Sequence, residues 1–249
     1  MAYQADASLK GKLRRRLVRL VHRRRAAQAP NGPWVSFTFD DAPVTAVRAG
    51  AAALEARGAR GAFFACAGLA GQDGPMGRYA GAEDYARLAA SGHEIGCHTF
   101  GHLDCGRAAG RLALADCERN AEALSAWGLP RPATFAYPYG DVAPSPKAAL
   151  AGRFDLLRAL HPGLVTAGSD LNQAPAVGIE GPDGEATARR WLTRAKAERA
   201  WLILYTHDVQ EQPSPWGCTP EALARLIDTA LADGFEIVTT AEGAARLAL

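Results

Sequence analysis

The N-terminal 25 residues of the 249-residue sequence lack a continuous apolar stretch of the length a secretion signal needs, and they cannot span a bilayer. Export and membrane insertion are therefore unexpected, and a cytoplasmic location is the expectation. No Cys-x-x-Cys pair occurs, and the five cysteines, Cys66, Cys97, Cys105, Cys117 and Cys218, are odd in number. That disfavours a disulfide framework and favours a reducing compartment. Cys97 and Cys105 flank two histidines, which raises soft metal ligation, but the buried free thiol is the commoner state. Internal repeats and low-complexity tracts are also missing. With 48% hydrophobic and 22% charged residues, the chain has the usual globular mix and enough apolar material for a sizeable core.

Acidic residues are scarce in one place only. Residues 1–25 hold nine basic side chains and one acid, Asp6, whereas the remaining chain holds 19 basic and 25 acidic side chains. A slightly acidic body thus carries a strongly basic arm. Within the arm, Leu9, Leu13, Leu17, Leu20 and Val21 recur at a helical period, with most of the arginines around them. A helix over residues 7–25 is expected. It suits an anionic inner membrane surface, peripherally bound, or a second copy of itself in a homodimer. A basic arm can also bind nucleic acid, but nothing downstream looks like a base-reading module, so no nucleic-acid partner is expected.

Pro30, Gly32 and Pro33 break the helical pattern, so residues 26–33 read as a linker. The expected division is residues 1–29, a basic amphipathic helix and linker, and residues 30–249, a catalytic domain. Strands are expected at 34–39, 60–66, 93–97, 133–137, 201–206 and 235–239, and helices at 44–57, 82–91, 107–127, 145–153, 185–200, 219–233 and 240–248. Alternation of this kind implies parallel strands with crossover helices. The fold class is α/β, a somewhat short (β/α) barrel of about seven strands. Residues 160–184 read as a long irregular loop with one short strand.

Four of the strands run into chemistry. "WVSFTFDDAP" ends on Asp40 and Asp41, adjacent carboxylates that persist together only with a bound cation or a shared proton. "GHEIGCHTFGH" carries His98 and His102, whose spacing on a helical turn would put both imidazoles on one face. His93 is off that register and reads as structural. One aspartate with two histidines makes a His-His-carboxylate metal site, and the second aspartate can take a proton from water activated there. Tyr139 in "TFAYPYGD" and His207 in "WLILYTHDV" close two further strands. Such a set suits hydrolysis, with an acid for the leaving group and a donor for the oxyanion. Asp208 follows His207 but faces the other way along the strand, and reads as a solvated loop acid.

These motifs resemble the polysaccharide deacetylase family, also called the NodB-homology domain or carbohydrate esterase family 4. Its T-F-D-D-G motif appears as Thr38-Phe39-Asp40-Asp41-Ala42, and its H-[ST]-x-x-H motif as His98-Thr99-Phe100-Gly101-His102. Its R-x-P-Y-G motif appears as Ala136-Tyr137-Pro138-Tyr139-Gly140, and its apolar strand ending in histidine as Leu202 to His207. The resemblance covers residue 34 to about 240. It implies a distorted (β/α) barrel with Asp40 as general base and His207 as general acid. It further implies that Asp41, His98 and His102 hold a divalent metal, usually zinc, with cobalt or nickel as alternatives. Tyr139 would offer its backbone N–H to the oxyanion.

Departures from the motifs carry their own expectations. Ala42 in place of glycine requires ordinary backbone angles after the acids. Ala136 replaces the arginine that in the family steadies the base, and Arg158 is the candidate partner for Asp40 instead. The family's D-x-x-D-W segment is not evident, with Asp170 and Trp216 as stand-ins. The expected activity is metal-dependent removal of N-acetyl groups from N-acetylhexosamine residues of a bacterial exopolysaccharide, capsule or holdfast-type polymer, or its lipid-linked oligosaccharide precursor. The alternatives are a deformylase or deacetylase of a lipid-linked monosaccharide in envelope modification, and a catalytically silent metal-binding scaffold. A mononuclear iron oxygenase would leave Asp40 and His207 without a role.

Overall fold

The apolar run at residues 34–40 is buried along its whole length, as a strand at the centre of a parallel sheet has to be. The computed structural model describes residues 8–248. Its strands in chain order are β1 (Trp34–Asp40), β2 (Ala62–Ala65), β3 (Asp73–Gly74), β4 (Gly77–Arg78), β5 (Glu94–Cys97), β6 (Thr134–Ala136), β7 (Leu156–Arg158), β8 (Val177–Gly178), β9 (Trp201–Thr206) and β10 (Glu236–Ile237). The helices are α1 (Leu9–Val18), α2 (Ala51–Glu55), α3 (Ala82–Ala90), α4 (Gly110–Ala126), α5 (Pro144–Leu150), α6 (Gly184–Glu198), α7 (Pro220–Ala232) and α8 (Thr240–Ala248).

The main sheet runs β7-β6-β5-β2-β1-β9-β8, with β10 beside the start of β1. Its pairings are parallel, so its strands end on a common rim. The sheet curls into a distorted (β/α) barrel. Between β7 and β8 the wall is continued by residues 171–174, where Leu157 donates to the Leu171 carbonyl and Ala174 to the Leu157 carbonyl, both at 2.8 Å. On β1 the odd residues Val35, Phe37 and Phe39 pack into the main helix-side core. The even residues turn to the barrel interior and end in Asp40. Phe39 stacks on Phe63 with 4.6 Å between centroids. Truncating such a buried aromatic costs about 3–5 kcal/mol.

The expected strands and helices lie close to the observed ones. The expected helix at 44–57 instead opens with a π-helical turn, Ala46–Gly50, before α2. β7 falls where the sequence carries too little pattern for a strand to be expected, whereas β8 is the one short strand expected within residues 160–184. β7 has three residues and β8 has two, and both are defined by pairing rather than by local periodicity. The β3–β4 hairpin is likewise two residues a side.

The chain ahead of β1 lies along the body. α1 stops at Val18, well short of the expected residue 25; residue 7, the expected start, lies outside the described residues. The reason is Lys147, a fully buried lysine on α5. Its Nζ donates to the Val18 carbonyl at 2.7 Å and to Asp170 at 2.6 Å, so a cation closes the helix C-terminus. Residues 24–26 then pair with 168–171: Leu171 donates to the Arg24 carbonyl at 2.7 Å and Ala26 to the Ser169 carbonyl at 2.8 Å. Val18 and Ala26 are buried. Leu9, Leu13, Leu17 and Leu20 stay 85%, 68%, 50% and 72% exposed, while Val21 is half-buried. No helix among the described residues is long and apolar enough to cross a membrane.

Candidate active site

Asp40, at the end of β1, is buried and forms an ion pair with the Nη2 of Arg158, which is wholly buried at the end of β7. Burial alone would raise the Asp40 pKa, but Arg158, with protonated His207 adding to it, holds the carboxyl below its ordinary value. The guanidinium lies 5.1 Å from the Phe64 ring and 5.4 Å from the Tyr205 ring. Arg158 is the ladder partner of Ala136 on the adjacent strand. Paired residues of parallel strands point to the same face, so Arg158 reaches the space beside the motif position that Ala136 leaves small.

Asp41 turns away from its neighbour. Its Oδ1 is 3.7 Å from His98 Nε2 and 3.5 Å from His102 Nε2. His98 donates its Nδ1–H to the Ala136 carbonyl at 2.8 Å, which fixes the tautomer and leaves Nε2 as a lone-pair donor. Burial lowers the His98 pKa to about 4 against the pull of Asp40 and Asp41, so the ring is neutral. The His98–Asp41 approach is therefore not an ion pair but two Lewis bases facing one point. Donor atoms about 2.0–2.2 Å from one zinc ion lie about 3–3.5 Å apart; the Asp41–His102 spacing of 3.5 Å matches this and the Asp41–His98 spacing of 3.7 Å is slightly wider. A second-layer carbonyl on His98 and a carboxylate between two imidazoles are what such a site requires.

His98 and His102 are not on a helical turn, as their spacing had suggested. They flank an irregular loop in which Thr99 (φ 62°) and His102 (φ 55°) adopt left-handed angles. Asp116 of α4 holds that loop by accepting from the N–H groups of Phe100 at 2.9 Å and Gly101 at 3.0 Å. Ala42 also overturns its expectation. It has φ 44°, next to Asp41 at φ 56°, so the turn keeps glycine-like angles although the side chain is a methyl. The Ala42 carbonyl accepts from Ala80 at 3.1 Å, anchoring the turn. With Tyr139 at φ 59°, five of the seven described non-glycine residues with positive φ border this site. Strain of this kind concentrates where surrounding structure dictates the backbone.

His207, at the end of β9, has its Nδ1 3.1 Å from Glu180 Oε1 and 3.2 Å from the Trp216 carbonyl. Burial opposes its charge, but Glu180, Asp40 and Asp41 overcome that and raise its pKa to about 9. The imidazolium thus faces ionised Asp40 across one cavity. That cavity, about 320 Å³, is lined by Asp40, Asp41, His98, His102, Tyr139 and His207, with Glu180 and Trp216 beside them. The Tyr139 ring packs edge-on against His102, 4.4 Å between centroids.

Two residues at the site were not singled out from sequence. Glu180 follows β8 in "AVGIEG", a short apolar run ending on an acid, the same pattern that marked the other strands but only two paired residues long. Cys66 follows β2. Its Sγ donates to the His98 carbonyl at 3.0 Å and lies 3.7 Å from Asp41 Oδ1. Asp41, Cys66 and His98 have donor atoms within 4.8 Å of one another. Burial and Asp41 push the Cys66 thiol well up, so it stays protonated against the His98 carbonyl. Cys97, the cysteine suggested by the flanking histidines, instead receives Asn120 Nδ2 at 3.3 Å. His93 is structural: Gly61 donates to its Nδ1 at 3.0 Å, and its Nε2 is 3.1 Å from Glu55. Asp208 is not solvated but fully buried, and accepts from the Ser214 N–H at 2.8 Å and from its hydroxyl at 2.5 Å. Of the two D-x-x-D-W stand-ins, Trp216 lines the cavity, while Asp170 pairs with Lys147 elsewhere.

The sequence model of the family described as polysaccharide deacetylase matches residues 27–152. No curated protein matches the sequence. Solved structures do. A chitin deacetylase from the fungal pathogen Colletotrichum lindemuthianum is 20% identical, with a TM-score of 0.65 over 86% of this chain and 88% of the other. A family 4 acetyl xylan esterase from Clostridium thermocellum, in complex with a cobalt ion, is 22% identical, with a TM-score of 0.57 over 84% and 89%. IcaB from Ammonifex degensii is 26% identical, with a TM-score of 0.55 over 62% and 71%.

Proposed function

The chain belongs to the polysaccharide deacetylase family, and within it we propose a metal-dependent hydrolase that removes N-acetyl groups from N-acetylhexosamine residues of a bacterial exopolysaccharide, capsule or holdfast-type polymer, acting on its lipid-linked precursor. The observation that carries the reading is the split pair across the cavity. Asp40 is held ionised and His207 is held protonated by different neighbours. Two titratable groups pushed apart in this way take the base and acid assignments.

Asp41, His98 and His102 would hold a divalent metal, zinc in the first place and cobalt or nickel otherwise. When bound, the ion supplies Lewis acidity toward the amide carbonyl and the attacking water. Asp40 takes the proton of that water, and the Arg158 ion pair keeps the carboxylate ionised and aimed. The Tyr139 N–H donates to the oxygen that becomes negative. Preorganised donors of this type are worth about 3–4 kcal/mol each in the transition state. His207 delivers its Nε2 proton to the departing amine while Glu180 and the Trp216 carbonyl hold the opposite ring edge. The cation beside Asp40 also removes the reason for a silent scaffold, which was the missing arginine at Ala136.

α1 supports peripheral contact with an anionic membrane: its exposed Leu9, Leu13 and Leu17, with exposed Leu20 just beyond it, form a stripe that the described residues leave uncovered. Arg16, also exposed, lies beside it. The test of the function is acetate release from a panel of N-acetylated oligosaccharides, using metal-stripped and re-metallated protein. Release only from the re-metallated sample is expected. No release from any acetylated oligosaccharide, with turnover of a formylated lipid-linked monosaccharide, would replace this reading with the deformylase.

A further inference from the structure

Two loops of the site are tied together by a residue that belongs to neither. The loop after β5 runs past His102 to Gly106, and the loop after β6 holds Tyr139 and Gly140 at φ 59° and 66°. They meet where Ala143 donates to the Cys105 carbonyl at 2.9 Å and where the Tyr139 ring packs on His102. Arg14 of α1 lays a guanidinium across the same seam. Its Nη1 donates to the Gly106 carbonyl on the first loop, and its Nη2 to Asp141 Oδ2 on the second, at 2.5 Å. Asp141 is buried, and its other oxygen accepts from the Val142 N–H at 2.9 Å. A methyl on Gly106 would come within 2.8 Å of Asp141 Oδ2 and 3.0 Å of Arg14 Nη1. Glycine therefore stands where the two loops and the guanidinium close on one another.

α1 is built to deliver that side chain. Gly11, Arg14 and Val18 share one helix face by their spacing, and Gly11 and Val18 are buried. Val18 lies in the apolar cluster that also takes Cys105 and Val142, the neighbours of Gly106 and Asp141. Lys147 fixes the end of the helix through the Val18 carbonyl. Leu13 and Leu17 keep to the exposed side. The helix also precedes residue 27, where the match to the family model begins, so the link is an addition of this chain to the motifs it shares.

We propose that Arg14 is a positioning residue for the hydrolysis: by joining the two loops it fixes the Tyr139 backbone, and with it the direction of the Tyr139 N–H. This assignment rests on the deacetylase reading, in which that N–H is the oxyanion donor. A left-handed angle at a tyrosine persists only where the surroundings over-determine it, and Asp141 is two residues further along the same loop. The oxyanion forms in the transition state and not in the bound substrate, so the link acts on kcat and leaves KM alone. To stability it adds little, because an ion pair with Arg14 22% exposed is screened by water.

The test uses full-length protein and four variants: Arg14→Ala, Arg14→Lys, Asp141→Asn and the Arg14→Ala/Asp141→Asn pair. In re-metallated Arg14→Ala, kcat for acetate release from an N-acetylated chito-oligosaccharide should fall about tenfold, part of the roughly 10²–10³-fold that loss of an oxyanion donor costs. KM, metal content and melting temperature should stay as in the unaltered protein. Arg14→Lys keeps the charge but not the fork, and should restore part of the rate. The pair should be no slower than the slower single variant, since both changes cut one link. A second readout needs no turnover. Hydrogen exchange in the metal-loaded protein should quicken over residues 103–107 and 137–143 of Arg14→Ala and stay unchanged in β9. An unaltered kcat in Arg14→Ala, or a loss that appears in KM or in bound metal instead, would overturn the positioning role. So would unchanged exchange in both loops. An unaltered, re-metallated protein that releases no acetate would count against the deacetylase reading, while the exchange measurement still decides whether Arg14 holds the loops.

Discussion

The barrel rim and the arm ahead of β1 are both dense in charge, and they treat it in opposite ways. At the rim, Asp40, Arg158 and His98 are nearly or wholly removed from water, so each group's state depends on neighbours delivered by other strands. In the arm, Arg14 reaches Asp141 while 22% exposed, and Arg23 reaches the Gly168 carbonyl in solvent. Screened contacts of that sort are worth little singly. The comparison teaches that charge density alone does not mark chemistry. What marks it is charge that the fold has desolvated and then paired across strands. Single substitutions should therefore act strongly at the rim and weakly in the arm.

The largest effects belong to the groups nearest the reacting atoms. Asp41→Ala, His98→Ala and His102→Ala should each lose bound metal and acetate release together, read by metal analysis and turnover on the same samples. Asp40→Asn should keep the metal and lose about 10²–10⁴-fold in rate, the usual cost of removing a general base. Stoichiometric metal with normal rates in two of the three alanine variants would break the assigned ligand set.

The Asp40–Arg158 pair comes next. Arg158→Ala leaves a buried carboxylate without its cation, at a cost of about 3–5 kcal/mol in stability. The sign for pH follows from the same pair. Arg158 depresses the Asp40 pKa, so its loss raises that pKa, and the acid limb of kcat/KM moves to higher pH. Because Ala136 is the ladder partner of Arg158, adding Ala136→Arg to Arg158→Ala should return part of both stability and rate. A double variant no better than Arg158→Ala would show that the cation's path into the site matters more than its charge.

A smaller change is expected one layer out. Glu180→Gln removes the hydrogen-bonded carboxylate that helps raise His207 to about 9 from an ordinary 6.5. The alkaline limb of the kcat profile should move to lower pH, with the acid limb unmoved. The folded state gains from the imidazolium below about pH 6.5 and loses that gain as pH rises through about 9, so the variant should also lose less stability across that window. An unshifted alkaline limb would detach His207 from the acid role.

The contrast between rim and arm also explains what could be read from sequence. Asp40, Asp41, His98, His102, Tyr139 and His207 were legible because each closes a strand long enough to show itself, or sits in a motif whose spacing is chemical. Arg158 was named only as a candidate partner for Asp40, because no local signal says that β7 and β6 lie side by side. Glu180 and Cys66 were passed over for the same reason: a two-residue strand and an ordinary buried thiol carry no pattern. Ala42 misled because its identity suggested ordinary angles, while its neighbours dictate a left-handed one. In the arm, periodicity picked out four leucines that the structure leaves exposed, but it could not show that the helix ends before Leu20 and Val21. That depends on Lys147, some 130 residues away in the chain.

The weakest expected effect is the one that decides what covers that stripe. Truncation before residue 30 is a poor test, since it removes Val18 and Ala26 from the packed body and leaves buried Lys147 without the Val18 carbonyl. Leu13→Ser with Leu17→Ser is cleaner. Both side chains are at least half exposed, and exposed substitutions usually alter stability by no more than about 0.5 kcal/mol. If the stripe enters an anionic membrane, each leucine contributes up to about 1.5–3 kcal/mol of apolar transfer. The double variant should then co-sediment with anionic vesicles at least about tenfold less well. Salt should weaken binding less than nine basic residues imply, because Arg14, Arg23 and Arg24 already bond to the body. Each basic group still free to meet the surface adds about 1 kcal/mol at most. Measuring mass in solution alongside the vesicles separates the two coverings. A full-length protein that ignores anionic vesicles, and whose mass halves in the leucine variant, would make the stripe the seam of a homodimer.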